Sequence, residues 1–294
     1  MTGPILVTGG TGQLATALAT LGGEHIMRVG RPDFDFDRPE SIEATFGAAT
    51  PGLVVNAAAY TAVDAAETDS AAAFRANRDG PEALARLCAA AGVPLIHVST
   101  DYVYDGEKRS PYVETDPVGP RSVYGASKLA GETAVLATGA RAIILRTAWV
   151  YAATGRNFVR TMLTLGQTRD ALRVVADQHG FPTAASDLAS AILAIARRIE
   201  EAGWDDARSG VFHAAGAGET TWHGLATAVF QEASRHGAKT PASVAAITTA
   251  EYPTPARRPA NSRLDCTRLA TVFGFRFPNW HDSLMRTVDE IFAD

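Results

Sequence analysis

Short runs of wholly apolar residues alternate with longer helix-periodic stretches through the first half of the chain, and this alternation narrows the fold more than any other feature. Pro4–Thr8, His25–Val29, Leu53–Asn56, Pro94–Ser99 and Ala142–Arg146 read as strands. Gln13–Leu21, Pro39–Phe46, Ala71–Ala91 and Ser122–Leu136 read as the helices between them. Strands that are apolar throughout, rather than at every second residue, fit a parallel sheet covered on both faces. The pattern predicts an α/β fold with a doubly wound, mostly parallel sheet of the Rossmann type.

After Trp149 the pattern loosens. Helical stretches persist at Phe158–Leu165, Asp187–Glu201, Trp222–Arg235 and Ser283–Phe292, with strand candidates at Arg173–Val175 and Val211–Ala214. Turns rich in proline and threonine interrupt them, most densely from Thr248 to Pro259. The expected organisation is a doubly wound domain over residues 1–150 and a smaller, mixed lobe over 151–294, with elements near 176–202 returning to the first domain.

Composition excludes several classes. The 294 residues carry a net charge of −5, and the basic residues are scattered. One small cluster, Arg257-Arg258 with Arg263, does not make a nucleic-acid surface. It either meets a small anion or lies in solvent. The two cysteines, Cys88 and Cys266, fit no metal or redox spacing and no disulfide framework, as in a reducing compartment. No apolar run approaches the roughly 20 residues that span a bilayer, and the start of the chain lacks a basic stretch leading into an apolar one. A cytoplasmic protein without nucleic-acid or membrane partners is expected.

Gly9-Gly10-Thr11-Gly12-Gln13-Leu14-Ala15 follows the first strand and opens the first helix. Gly9 permits a tight turn, Gly12 lets the backbone approach a pyrophosphate, and the small Ala15 permits close helix–strand contact. The helix N-terminus then presents N–H groups and a positive dipole end to phosphate oxygens. In this position the motif predicts a dinucleotide site in the first domain and leaves the second lobe for substrate. The acidic residue that marks NAD at the end of the second strand is absent, and Gly30-Arg31-Pro32-Asp33 stands there. Arg31 either pairs with a ribose 2′-phosphate, which favours NADPH over NADH, or is a solvated loop residue.

The run Leu95–Val98 places Ser99 and Thr100 at the carboxyl end of a buried strand, the edge at which ligands bind in open α/β sheets. Tyr124 and Lys128, four apart, fall on one face of the fourth helix. A nearby ammonium lowers a phenol's pKa, and such a phenol exchanges a proton with a carbonyl or alcohol oxygen. A carbonyl oxygen between Thr100 and Tyr124 would receive two donors as negative charge builds on it. Lys128 would also hold the nicotinamide ribose. The spacing alone arises by chance in many helices; the glycine turn and Thr100 turn it into an expectation of carbonyl reduction. His97, inside an apolar strand, reads as a hydrogen-bonded core residue. No G-x-S-x-G elbow supports a serine hydrolase, and no histidine or cysteine cluster suggests a metal.

The glycine turn, Asn56–Asp64, Ser99–Tyr104 and the Tyr124/Lys128 pair resemble the extended short-chain dehydrogenase/reductases. Arg146–Tyr151, Asp177–Thr183, Thr220–Trp222 and Tyr252–Leu264 narrow the resemblance to the dTDP-4-dehydrorhamnose reductases, over essentially the whole chain. The resemblance implies Thr100, Tyr124 and Lys128 as the catalytic triad of a reductase that makes dTDP-L-rhamnose, a precursor of cell-wall and O-antigen polysaccharide. It implies that Gly9, Thr11, Gly12, Gln13, Leu14, Asp35, Phe36, Ala57, Ala58, Ala59 and Tyr60 line the cofactor, with Thr61 continuing toward the substrate. Asp101, Val103 and Trp149 would contact the deoxysugar, and Arg258 and Asn261 are candidates for its nucleotide. Some members bind Mg²⁺ at a dimer interface through glutamates. Ala17 and Ser186 stand at the corresponding positions, and neither supplies a carboxylate. A monomer or a different homodimer is therefore expected. The rivals are another nucleotide-sugar reductase or epimerase on this scaffold, or a non-catalytic subunit resembling the regulatory subunit of methionine adenosyltransferase.

Overall fold

The computed structural model describes residues 3–293. Strands β1 (Ile5–Thr8), β2 (Ile26–Arg28), β3 (Leu53–Asn56), β4 (Leu95–Thr100) and β5 (Ala142–Thr147) form one sheet. Helices α1 (Gln13–Gly22), α2 (Pro39–Ala49), α3 (Val63–Ala66), α4 (Ser70–Phe74), α5 (Gly80–Ala91) and α6 (Val123–Ala137) lie between them. The second half contributes the short strands β6 (Val150–Tyr151), β7 (Ala171–Val175), β8 (His179–Gly180) and β9 (Thr183–Ala184), followed by β10 (Gly210–His213), β11 (Thr220–Thr221), β12 (Ser243–Ile247) and β13 (Asn261–Ser262). Its helices are α7 (Phe158–Thr168), α8 (Ala185–Ala202), α9 (Trp222–Arg235), α10 (Thr267–Phe273) and α11 (Trp280–Ala293).

The central sheet has the order β10-β5-β4-β3-β1-β2, and every pairing in it is parallel. The alternation of apolar runs thus folds as a doubly wound sheet. Each strand divides its side chains between two cores. Ile5, Val7, Val55, Ile96, Ile143 and Leu145 face α1 and α8, packing on Leu14, Leu18, Leu188 and Ile192. Leu6, Val54, Leu95 and Ile144 face the other way, toward Leu84, Cys88 and Val135. A strand wet on one side could not carry this pattern, because every second apolar residue would be exposed.

Three stretches of the second half complete the first lobe. Helix α8, near the segment expected to return, packs in the α1 core. The strand Gly210–His213, expected within the smaller lobe, instead joins the edge of the central sheet beside β5. Helix α10 follows it there, with Leu269 and Phe273 in the α1 core. Elements α7, α9 and α11 build a separate core, in which Tyr151, Met162, Leu225, Phe230, Trp280 and Leu284 meet.

The helix expected over Ala71–Ala91 is broken into α4, a π-helical turn at Arg75–Asp79 and α5. Pro81 has no N–H to bond the Asn77 carbonyl in the α-helical pattern, so the ladder widens upstream of it. The widened turn presses against α6. A Cβ on Gly131 would lie 1.9 Å from the Asn77 carbonyl oxygen, and one on Gly125 would lie 2.2 Å from that of Tyr102. Helix α6 therefore sits closer to its neighbours than any other residue at these positions permits. Gly131→Ala is expected to destabilise the protein by about 2 kcal/mol or more through this overlap, measured by urea denaturation. An unchanged midpoint would mean that α6 is free to shift.

Candidate active site

The order of the strands reverses at β1, which pairs with β2 on one side and β3 on the other. The carboxyl ends of strands at such a switch point open a crevice, and a cavity of about 1140 Å³ lies there. A polar chain holds its floor. Thr8 Oγ1 donates to Asn56 Oδ1 at 2.6 Å, and Asn56 Nδ2 meets His97 Nδ1 at 2.9 Å. His97 is held neutral: burial and then the charge of Lys128 keep its pKa well below the usual range.

At one end stands the glycine turn. Gly9 has a left-handed φ of 110°, and a Cβ there would come within 3.1 Å of the Ala57 carbonyl. A Cβ on Gly30 would lie 2.5 Å from Gly10 Cα, so the end of β2 is pressed against the turn. Helix α1 then starts at Gly12 without a side-chain cap and without a carboxylate in its first turn. A cradle that side chains would fill, facing uncapped N–H groups, fits a dinucleotide pyrophosphate. Gly9, Thr11, Gly12, Gln13, Leu14, Arg31, Asp35, Phe36 and Ala57 through Thr61 all line the cavity. Arg31 bonds Asp35 at 3.0 Å and Asp37 at 3.1 Å, across an exposed rim. Arg28 also lines the cavity and was not anticipated; it ends β2 and donates to Thr16 Oγ1 at 3.1 Å.

At the other end are Thr100, Asp101, Tyr124, Lys128 and Trp149. Ser122 caps α6 by accepting from the Gly125 N–H at 3.1 Å, which starts the helix just before Tyr124. Asn77 ties this start to the cofactor-side loop: it accepts from the Tyr60 N–H at 2.8 Å and donates to Ser127 Oγ at 2.9 Å. This residue was missed in the sequence, where its one signal is a polar side chain just before the Gly80-Pro81 break. Trp149 has a left-handed φ of 50°. Its ring stacks on Trp222 with centroids 3.6 Å apart, and a Cβ on Gly180 would strike it at 2.5 Å. A bulky residue stays in that backbone region only when its surroundings hold it there.

The electrostatics correct one expectation. The Tyr124 phenol is not made more acidic: burial pushes its pKa above the ordinary value, with the Thr100 hydroxyl pulling against it. Lys128 instead donates to the Val98 carbonyl at 2.7 Å, and burial lowers its pKa to about 8 despite the charge of Glu132. The Asp101 carboxyl is raised to about 6, first by burial, against the pull of the Ser262 and Thr100 hydroxyls. Thr100 Oγ1 donates to Asp101 Oδ1 at 3.1 Å, while Oδ2 is buried with no hydrogen-bond partner among the described residues.

Three expected site residues lie elsewhere. Val103 is fully buried in a cluster with Tyr104 and Tyr112, because the turn Asp101–Val103 aims its side chain inward. Asn261 is also buried; its amide donates to the carbonyls of Lys108 and Ser110, and its oxygen accepts from Arg263. Arg258 is off the cavity wall, held by Asp64 at 2.6 Å and by the Tyr102 hydroxyl at 3.1 Å. Tyr102 in turn packs edge-on against Tyr124, with ring centroids 5.4 Å apart. Among the described residues no group of three or more His, Cys, Asp or Glu is placed to hold a metal, and no helix is long and apolar enough to cross a membrane.

A model of the family described as RmlD substrate binding domain matches residues 1–292. The dTDP-4-dehydrorhamnose reductase of Sinorhizobium fredii is 48% identical over 286 residues, which cover 97% of this chain and 96% of that protein. Among solved structures, a dTDP-4-dehydrorhamnose reductase from Clostridium acetobutylicum superposes with a TM-score of 0.88 at 36% identity, covering 98% of this chain and 99% of the other. One from Bacillus anthracis, in complex with NADP, gives 0.88 at 30% identity, covering 99% of this chain and 100% of the other.

The depressed Lys128 pKa has a signed consequence. Its folded value lies below its unfolded one, so its contribution to stability is complete above pH 10.5 and is lost as the pH falls through about 8. The stability of the wild type relative to Lys128→Met should fall by on the order of 3 kcal/mol across that window, measured by urea denaturation at each pH. A flat difference would show that the ammonium titrates as it does in water.

Proposed function

This chain belongs to the family described as RmlD substrate binding domain, and from that premise we propose that it reduces the 4-keto group of dTDP-4-dehydro-β-L-rhamnose with hydride from NAD(P)H, giving dTDP-L-rhamnose. The observation that carries the reading is a single cavity with two chemically distinct ends. The uncapped glycine turn is at one end, and the hydroxyls of Thr100 and Tyr124 are beside Asp101 at the other.

When bound, the nicotinamide supplies hydride to the sugar carbonyl carbon. The residues of this chain do the rest. Tyr124 delivers its phenolic proton to the carbonyl oxygen as that oxygen becomes an alkoxide. A phenol with a raised pKa is still a far stronger acid than an alcohol, so the transfer runs toward the sugar. Thr100 donates a hydrogen bond to the same oxygen and steadies its charge. Asp101 Oδ2, buried without a partner among the described residues, is free to accept from a sugar hydroxyl. Trp149, fixed by Trp222, offers a flat apolar wall to the 6-deoxy face. Lys128, on the cavity wall one turn from Tyr124, supplies an ammonium to hold the cofactor ribose.

NADPH is the reading that Arg28 and Arg31 support best. Both line the adenosine side of the cavity, and the Bacillus anthracis relative is in complex with NADP. The segregation of hydroxyls, carboxyl and lysine at one end favours an enzyme over a binding subunit.

Tyr124→Phe should retain NADPH binding and lose about three orders of magnitude or more in turnover, followed as loss of NADPH absorbance with the keto-sugar generated in situ. Turnover close to wild type in that variant would remove the proton-transfer role. Arg31→Ala should raise KM for NADPH about tenfold and leave that for NADH nearly unchanged. Equal effects on the two would assign Arg31 to the rim ion pairs alone.

A further inference from the structure

The cavity wall carries four cationic side chains, Arg28, Arg31, Lys128 and Arg156. Arg28, Arg31 and Lys128 are engaged with Thr16, with Asp35 and Asp37, and with the Val98 carbonyl. Arg156 is exposed and has no hydrogen-bond or ion-pair partner among the described residues. Nothing in the sequence singled it out, because it belongs to no motif.

Its loop is nevertheless held in place. Residues between β6 and α7 cross in front of the glycine turn. Asn157 Nδ2 donates to Gln13 Oε1 at 3.0 Å and to the Ala152 carbonyl at 2.8 Å. A Cβ on Gly155 would meet Gln13 Cγ at 3.3 Å, so the loop lies directly on the first residue of α1. Arg160, one turn into α7, donates to the Ala153 carbonyl. The loop is tied down on both sides of a guanidinium that bonds to none of the described residues.

We propose that Arg156 is the side-chain half of a diphosphate clamp, gripping the dinucleotide pyrophosphate from the side opposite the α1 N–H groups. The inference rests on the dinucleotide reading of the cavity. The first turn of α1 offers backbone donors but no cation, whereas a pyrophosphate carries two negative charges. A planar guanidinium matches two phosphate oxygens at once. The nucleotide-sugar substrate also carries a diphosphate, but the loop is anchored to Gln13 and not to the Asp101 end of the cavity, and this favours the cofactor.

The test is a titration of NADPH and of 2′-AMP into the wild type, Arg156→Ala and Arg156→Lys. 2′-AMP carries the 2′-phosphate but no pyrophosphate. In Arg156→Ala the Kd for NADPH should rise about tenfold while that for 2′-AMP and the thermal unfolding midpoint stay in place. Arg156→Lys should recover part of the loss. An unchanged Kd for NADPH, or equal weakening of both ligands, would overturn the clamp. A rise confined to KM for the nucleotide sugar would overturn it too, assigning Arg156 to the substrate's diphosphate. Failure of the wild type to bind NADPH at all would remove the dinucleotide reading itself, and that result is distinct from any effect of the variants.

Discussion

The buried ion pair between Arg146 and Glu132 is the interaction on which the placement of the candidate catalytic groups depends. Arg146 is on β5 and Glu132 on α6, with side chains 5% and 3% exposed. Their bond is forked, Nε to Oε1 at 2.9 Å and Nη2 to Oε2 at 2.5 Å. The spare groups are used as well: Ser99 donates to Glu132, and Arg146 Nη1 donates to the Tyr104 hydroxyl at 2.7 Å, which also meets His213. Two charges removed from water are tolerated only when geometry and hydrogen bonds are this complete, and losing one partner of such a pair costs about 3–5 kcal/mol. The result is a fixed height of α6 on the sheet. Lys128 lies one turn from Glu132 and Tyr124 one turn further, so both face the end of β4 where Thr100 stands. The close approaches at Gly125 and Gly131 then leave the helix no room to slide.

The legible parts of the molecule are those written in local spacing. Apolar runs gave the parallel sheet, the glycine turn gave the cradle at Gly9, and Tyr124 and Lys128 came together because a helix repeats every four residues or so. Errors arose where the direction of a side chain is set by tertiary packing. Val103 follows Asp101 closely but turns to the opposite side of a tight turn, and Asn261 resembles a ligand in sequence yet spends every donor and acceptor on backbone and Arg263. The Tyr124 phenol departs from the sequence expectation because proximity in a helix says nothing about desolvation, which raises its pKa with the Asp101 charge acting in the same direction. Asn77 and Arg156 were invisible for opposite reasons: one acts through a π-turn that no periodicity marks, the other through a loop brought over the cavity by the second lobe.

The cavity also separates its electrostatics by position. Its glycine-turn end is lined by backbone N–H groups and by the guanidinium groups of Arg28, Arg31 and Arg156. Its chemical end holds groups that burial pushes toward neutrality, a carboxyl near 6 and an amine near 8. Charge is thus available for holding an anionic ligand, while at the reacting end proton positions respond to what is bound. Tyr102 joins the two lobes across this second end, with Tyr124 against one side of its ring and Arg258 on its hydroxyl.

The return of β10 to the central sheet bears on how the chain emerges during synthesis. With residues 1–150 alone, β5 would be an edge strand whose residues are apolar or ion-paired up to Thr147, and α1 would lack the helix that covers it. An exposed edge of that kind recruits other strands. The central sheet therefore cannot be completed until His213 has been made, more than sixty residues after β5 ends. The newborn polypeptide passes through an unfinished stage in which an apolar strand edge and one face of α1 are still uncovered.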